Sequence, residues 1–151
     1  MRDVLKVGMG ETLSFEVPRE KTVPFLYPES AEFQAIPEVF ATGYMIGLME
    51  WCCVRSLAPA LEDGEGSLGI AINVSHLAPT PPGARVVVEA KIIAIDGRKV
   101  SWHVVARDEV DLIGEGTIGR AVVRWSSFTQ RLAEKAATIA ARRATKPSGT
   151  D

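Results

Sequence analysis

Residues 39–54, VFATGYMIGLMEWCCV, contain a single charge, the carboxylate of Glu50. As a helix, this stretch places Ile46, Gly47, Cys53 and Val54 on the turns above and below Glu50, because residues three and four apart are neighbours. None of the four is a cation, so no local partner offsets the desolvation of the carboxylate, a cost of several kcal/mol for an unpaired ion. Such a residue reads as an acid or base held in an apolar pocket with a raised pKa. A Glu that reaches the surface, or one that pairs with a distant Arg, is the structural alternative. The stretch is apolar around most of its circumference, which predicts burial on nearly all sides. Pro37 suits the first turn of this helix and Glu38 its dipole, while Pro59 discourages continuation beyond about Leu57.

Working outward, residues 11–17 (ETLSFEV) read as a short strand ended by Pro18. Residues 18–37 are turn-rich and apolar without periodicity, which predicts a loop or short helix folded over something. After the polar loop 62–67, apolar residues recur with a period of two. Leu68, Ile70, Ile72, Val74, His76 and Ala78 form one set, Val86, Val88, Ala90 and Ile92 a second, and Val100, Trp102, Val104 and Ala106 a third. This alternation marks antiparallel strands with one covered and one wet face. APTPPG (78–83) and DGR (96–98) supply turns, the second a tight hairpin. A last strand over about 112–125 contains Gly114, Gly116 and Gly119, so bulges are expected. One antiparallel sheet wrapped around one long buried helix is the hot-dog fold, of class α+β. Its open sheet edges predict a homodimer or a dimer of dimers. The domain is expected over residues 1–130, with 131–151 an Ala-rich basic tail, helical in part and disordered at its end.

At 151 residues and 46% hydrophobic content the chain is long enough for one domain with a real core. Its net charge of −2 offers no basic stripe, so no nucleic-acid partner is expected. Cys52 and Cys53 are adjacent, poorly placed for a disulfide and without metal-ligand spacing, so they read as packing. The N-terminal residues show no secretory pattern, and the uncharged run before Glu50 is too short to span a bilayer. A cytoplasmic protein with no membrane partner is expected.

Parity separates the two histidines. His76 shares a face with Leu68, Ile70, Ile72 and Val74 and points at the helix, as a satisfied core histidine or as a second titratable group beside Glu50. His103 shares the polar face with Ser101 and Arg107 and is expected in solvent. Thr42 lies in the helix's first turns, where its hydroxyl either packs or donates to a carboxylate or substrate oxygen. Gly43 and Gly47 are poor helix formers, so a buried helix holding both implies close approach of a backbone or ligand. Gly43 can also present an amide to an oxyanion. Two scattered histidines and one buried Glu do not form a recognisable metal-ligand set, so no metal is expected.

KTVPFLYPES (21–30), PEVFATGYMIGLMEW (37–51) and EGSLGIAINVSHLAPTPPG (65–83) resemble the fluoroacetyl-CoA thioesterase family of hot-dog proteins. The likeness extends more weakly through GRKVSW and GEGTIGRAVV to about Phe128. It implies catalytic roles for Thr42, Glu50 and His76, the residues isolated above. It also implies an acyl-pocket glycine at Gly69, an arginine near it at Arg120, and an apolar lid of Val23, Leu26, Phe33 and Ile36. The chain departs from the family at Ile36, where the fluoroacetyl-selective enzyme has an aromatic residue. The implied activity is hydrolysis of short acyl-CoA thioesters, fluoroacetyl-CoA included, with CoA as part of the substrate and no cofactor. Glu50 attacks the thioester carbonyl or deprotonates the attacking water, and the residues leave both routes open. A non-catalytic acyl-CoA binding module and a hot-dog enoyl-CoA hydratase are the alternatives.

Overall fold

The computed structural model describes residues 1–145. The period-two segments form five strands: β1 (Gly10–Glu16), β2 (Glu65–His76), β3 (Arg85–Asp96), β4 (Lys99–Arg107) and β5 (Leu112–Arg124). They make one antiparallel sheet in the order β1-β3-β4-β5-β2, which leaves β1 and β2 as its edges. Helix α2 (Thr42–Leu57) touches all five strands, so the sheet wraps the helix in the expected hot-dog arrangement. β3 passes to β4 through Gly97 and Arg98, with Gly97 in the left-handed region at φ 56°. A side chain there would be strained, which is why glycine occupies this tight hairpin.

The parity of β3 and β4 is as expected: Val86, Val88, Ala90 and Ile92 are buried, as are Val100, Trp102, Val104 and Ala106. They close over Met45, Met49, Cys52, Cys53 and Leu57 of α2. Trp102 is the largest fully buried side chain, and its indole N–H donates to Ser56 Oγ at 3.1 Å.

β2 departs from simple alternation. Partners across an antiparallel ladder share a face, and the β2–β5 register shifts between Gly69 and Ala71. Before the shift Ser67 opposes Val122 and Gly69 opposes Arg120; after it Ile72 opposes Ile118 and His76 opposes Gly114. Val122, Arg120, Ile118 and Gly114 are all buried. Ser67 and Gly69 therefore face the helix on one side of the bulge, and Ile72, Val74 and His76 on the other. The expected inward direction of Leu68 is corrected, because one extra residue reverses a period of two. Ile70 and Ile72 are also 53% and 49% exposed, since β2 is an edge with no neighbour beyond it.

Two expectations about the helix are corrected as well. It begins at Thr42, not at Pro37. Residues 39–41 use their backbone elsewhere: Phe40 N donates to Thr80 O, Val39 O accepts from Val23 N, and Ala41 N donates to Lys21 O. An extended segment bonded in this way cannot also form a helical turn. Nor is the helix enclosed on nearly all sides, for Thr42, Gly43, Gly47 and Trp51 are exposed in the single chain. Residues 18–37 fold as two 3₁₀ turns (Arg19–Lys21 and Val23–Phe25) and a short helix α1 (Ala31–Gln34). Helix α3 (Trp125–Ala144) follows β5 and buries no residue. The boundary expected after residue 130 lies within α3, and 146–151 lie outside the described residues. Among the described residues no helix is long and apolar enough to cross a membrane.

Trp102→Ala would remove the largest side chain from the centre of the sheet–helix contact and leave Ser56 without its donor. A loss of about 3–5 kcal/mol is expected from a large-to-small change of this kind. Urea unfolding followed by circular dichroism measures it, and a loss below about 1 kcal/mol would show that the core collapses into the space.

Candidate active site

The N-terminus of α2 is built without a cap. Ala41 occupies the cap position and has no side-chain acceptor, and the first helical bond runs from Met45 N to Ala41 O at 2.9 Å. The amides of Thr42, Gly43 and Tyr44 therefore lack an intrahelical acceptor, at the end where the helix dipole favours negative charge. His76, last residue of β2, meets this end: Thr42 Oγ1 and His76 Nδ1 are 2.8 Å apart. Burial pushes the pKa of His76 down, an effect offset in part by the backbone of Ala78, so the imidazole is neutral at neutral pH. Nε2 is buried and has no partner among the described residues. A neutral ring with one nitrogen on a hydroxyl and the other unused can take or deliver a proton. Val23, Val39, Phe40, Leu77, Ala78 and Pro79 complete a cavity of about 390 Å³ around the pair. Leu26 covers the Cα of Gly43, its Cδ2 lying 3.4 Å from where a Cβ would be.

Glu50 lies eight positions further along α2, a rise of roughly 12 Å. It is not unpartnered. Arg120 Nη1 donates to Glu50 Oε1 at 2.5 Å, so the expectation of a carboxylate without a counter-ion is corrected. The partner stands seventy residues away in sequence and on another element. This is the distant-Arg alternative weighed from the sequence. Arg120 side-chain exposure is 9% and that of Glu50 is 29%, so the cation is buried and the carboxylate reaches a cavity. Gly69, Ile70, Ala71 and Ile72 of β2 line that cavity with Glu50. A Cβ on Gly69 would lie 2.6 Å from Glu50 Oε1, which explains why this position has no side chain.

The chain thus forms two half-sites: Thr42, Gly43 and His76 with Val23 and Leu26, and Glu50 with Arg120 and Gly69. It brings Thr42 to His76 and Glu50 to Arg120, but it does not bring Glu50 to either Thr42 or His76. Phe33 packs edge-on against Tyr27, ring centres 5.3 Å apart, and Ile36 is exposed; neither lines the two cavities. His103 lies on the outer face of the sheet, its Nε2 2.9 Å from Glu115 Oε1, remote from both half-sites. Cys52 and Cys53 are free and buried, and burial pushes their thiols up to about 11 and about 12, so neither is a thiolate nucleophile at neutral pH. Among the described residues no group of three or more His, Cys, Asp or Glu is placed to hold a metal ion. Sequence reading missed Ser67, which receives two hydrogen bonds from Arg120. No local signal marks it, because its inward direction depends on the bulge.

The model of the fluoroacetyl-CoA-specific thioesterase family matches residues 17–126. The fluoroacetyl-CoA thioesterase of Streptantibioticus cattleyicolor is 55% identical over 135 residues, covering 89% of this chain and 97% of the relative. A solved structure of the fluoroacetyl-CoA thioesterase FlK superposes with a TM-score of 0.86 at 55% identity, over 88% of this chain and 98% of that one. A thioesterase superfamily member of Thermus thermophilus superposes with a TM-score of 0.79 at 30% identity, over 91% of this chain and 99% of that one.

Proposed function

The chain belongs to the fluoroacetyl-CoA-specific thioesterase family, and from that premise we propose that it hydrolyses short acyl-CoA thioesters, fluoroacetyl-CoA among them, to the free acid and CoA. The observation that carries this reading is the 2.8 Å contact of Thr42 with His76 at an uncapped helix N-terminus. A thioester carbonyl placed there directs its developing negative charge at the Gly43 amide and the Thr42 hydroxyl, dipoles already oriented before the reaction. Glu50 either attacks the carbonyl carbon or takes the proton of the water that does. In the general-base route the C–O bond to water forms, the C–S bond breaks, and the proton that leaves the water passes by way of Glu50 and the neutral His76 to the CoA sulfur. In the covalent route the C–S bond breaks as Glu50 forms an acyl anhydride; a water that gives its proton to His76 then hydrolyses the anhydride, and that proton goes on to the CoA thiolate. No cofactor is called on, and CoA leaves as product.

The working unit of this reading is a homodimer. β2 is an open edge, Ile70 and Ile72 on it are about half exposed, and one chain keeps its half-sites apart. Antiparallel pairing of β2 with the β2 of a second copy runs the Gly69 end of one strand toward the His76 end of the other. Each Glu50 then faces the Thr42 and His76 of the second copy, giving two composite sites. Light scattering at micromolar concentration is expected to return twice the chain mass or a multiple of it. A stable, active monomer would remove the composite site.

A thiol-release assay on acetyl-, fluoroacetyl- and longer acyl-CoAs tests the activity. Glu50→Gln keeps size and loses charge, and should lower kcat by several orders of magnitude, as loss of one member of a catalytic unit does. His76→Ala should also abolish most turnover, and His103→Ala should stay within about twofold of wild type, a change under ~0.5 kcal/mol. More than about a tenth of wild-type turnover in Glu50→Gln would remove the carboxylate from the reaction, leaving it less than about 1.4 kcal/mol of effect.

Selectivity is expected to be broad. Ile36, exposed and outside both cavities of the single chain, is a branched aliphatic residue at the lid position where the fluoroacetyl-selective enzyme carries an aromatic, and a lid closing through it would seal the acyl group less completely. Changes of this size in an apolar pocket alter discrimination by roughly 10–200-fold. Acetyl-CoA should therefore be hydrolysed measurably, and Ile36→Phe should raise the fluoroacetyl-to-acetyl ratio of kcat/KM. An unchanged ratio would assign the seal to another lid residue.

A further inference from the structure

Glu50 has one oxygen engaged and one free. Oε1 accepts from Arg120 Nη1 and lies on the Gly69 side, whereas Oε2 accepts no hydrogen bond from the described residues; the carboxylate lines a cavity with Gly69 and Ile72. Which oxygen is free, and where it points, depends on how firmly the guanidinium is held. Arg120 is itself gripped on its other edges by a single residue: Nε donates to Ser67 Oγ at 3.0 Å and Nη2 to Ser67 O at 2.9 Å. The planar fork of an arginine makes these three bonds together in one orientation only, a geometry that lysine cannot reproduce. Ser67 faces inward because it lies before the bulge in β2, two residues from Gly69, whose missing Cβ leaves room for the carboxylate.

We propose that Ser67 is a positioning residue for hydrolysis: its hydroxyl and carbonyl lock Arg120, and Arg120 in turn holds Glu50 with Oε2 presented to the reacting centre. The inference rests on the reading of Glu50 as the reacting carboxylate. Ser67 touches no reacting atom, so its effect passes through the orientation of Glu50. It belongs to the chemical step and not to substrate binding.

The test is a set of substitutions assayed for kcat and KM by thiol release. Ser67→Ala removes the acceptor of Arg120 Nε and should lower kcat about tenfold, the size of effect expected from one lost hydrogen bond to a charged group. KM should stay within about twofold. Ser67→Cys, close to serine in size but a weak acceptor, should fall similarly, whereas Ser67→Thr keeps the hydroxyl and should recover most of the loss. Arg120→Lys should lose more than Ser67→Ala. In a Glu50→Gln background Ser67→Ala should have no further effect on residual turnover, because the group being positioned is gone. If Ser67→Ala unfolds the protein, the Ser67→Cys and Ser67→Thr pair decides. The proposal is overturned if kcat of the folded Ser67→Ala or Ser67→Cys protein stays within twofold while Glu50→Gln is inactive. It is equally overturned if KM alone rises, which would place the effect of Ser67 in substrate binding and not in the chemical step. Turnover surviving in Glu50→Gln would instead remove the reading of the carboxylate, and this proposal with it.

Discussion

A one-residue shift in β2, between Gly69 and Ala71, sets the geometry of everything that looks chemical in this chain. A strand presents alternate residues to one face, so an unbulged β2 could not turn both Gly69 and His76 toward the helix. With the extra residue, Ser67 and Gly69 face α2 at one end of the strand, and Val74 and His76 face it at the other. The first pair meets Arg120 and Glu50, and His76 meets Thr42. Removing the bulge would turn one half-site out to solvent while leaving the other in place. The same irregularity lies on an edge strand, where a bulge disturbs only one ladder and is tolerated most easily.

Helix α2 carries the two halves on one rigid rod. Its uncapped N-terminus supplies free amides where a cap residue would have consumed one, and Gly43 and Gly47 keep that side of the helix open. Met45, Met49, Cys52 and Leu57 bury the opposite side against the sheet. The helix is therefore anchored by packing and not by its own ends, which leaves the ends free for chemistry. The separation of roughly 12 Å between Thr42 and Glu50 is fixed by helical rise. A reaction that uses both residues on one carbonyl needs a second helix, which the homodimer proposed above would supply across the exposed edge of β2.

The Glu50–Arg120 pair makes little sense as a source of stability. Burying two charges costs about as much as their attraction returns, and apolar residues of similar volume often do better. What the pair offers is direction: a buried guanidinium with three bonds in fixed geometry holds one carboxylate oxygen and leaves the other free. His76 follows a different rule, with burial keeping the ring neutral and leaving Nε2 unsatisfied. Each group departs from what stability alone would favour, in a fold whose remaining core is conventionally apolar.

The hot-dog architecture was legible in the chain, because it depends on local periods. Sixteen residues, 39–54, with one charge and three alternating segments require a helix wrapped by a sheet, and the inward faces of β3 and β4 follow from parity alone. Thr42, Glu50 and His76 stood out for equally local reasons: a hydroxyl at a helix start, a lone charge in an apolar run, a histidine on a covered face. What alternation could not foretell is where it breaks. Leu68 and Ser67 exchanged faces at the bulge, and Ser67 thereby entered the site unannounced. Nor does any helical neighbour of Glu50 point to Arg120, which stands beside it only because β5 pairs with β2. The start of α2 moved from Pro37 to Thr42 because residues 39–41 bond to Thr80 and to the segment 21–23. Local periodicity determined the elements and their buried faces; the pairing of distant strands decided which charges meet, since a hydrogen-bond register across a sheet is a contact between residues that the sequence keeps far apart.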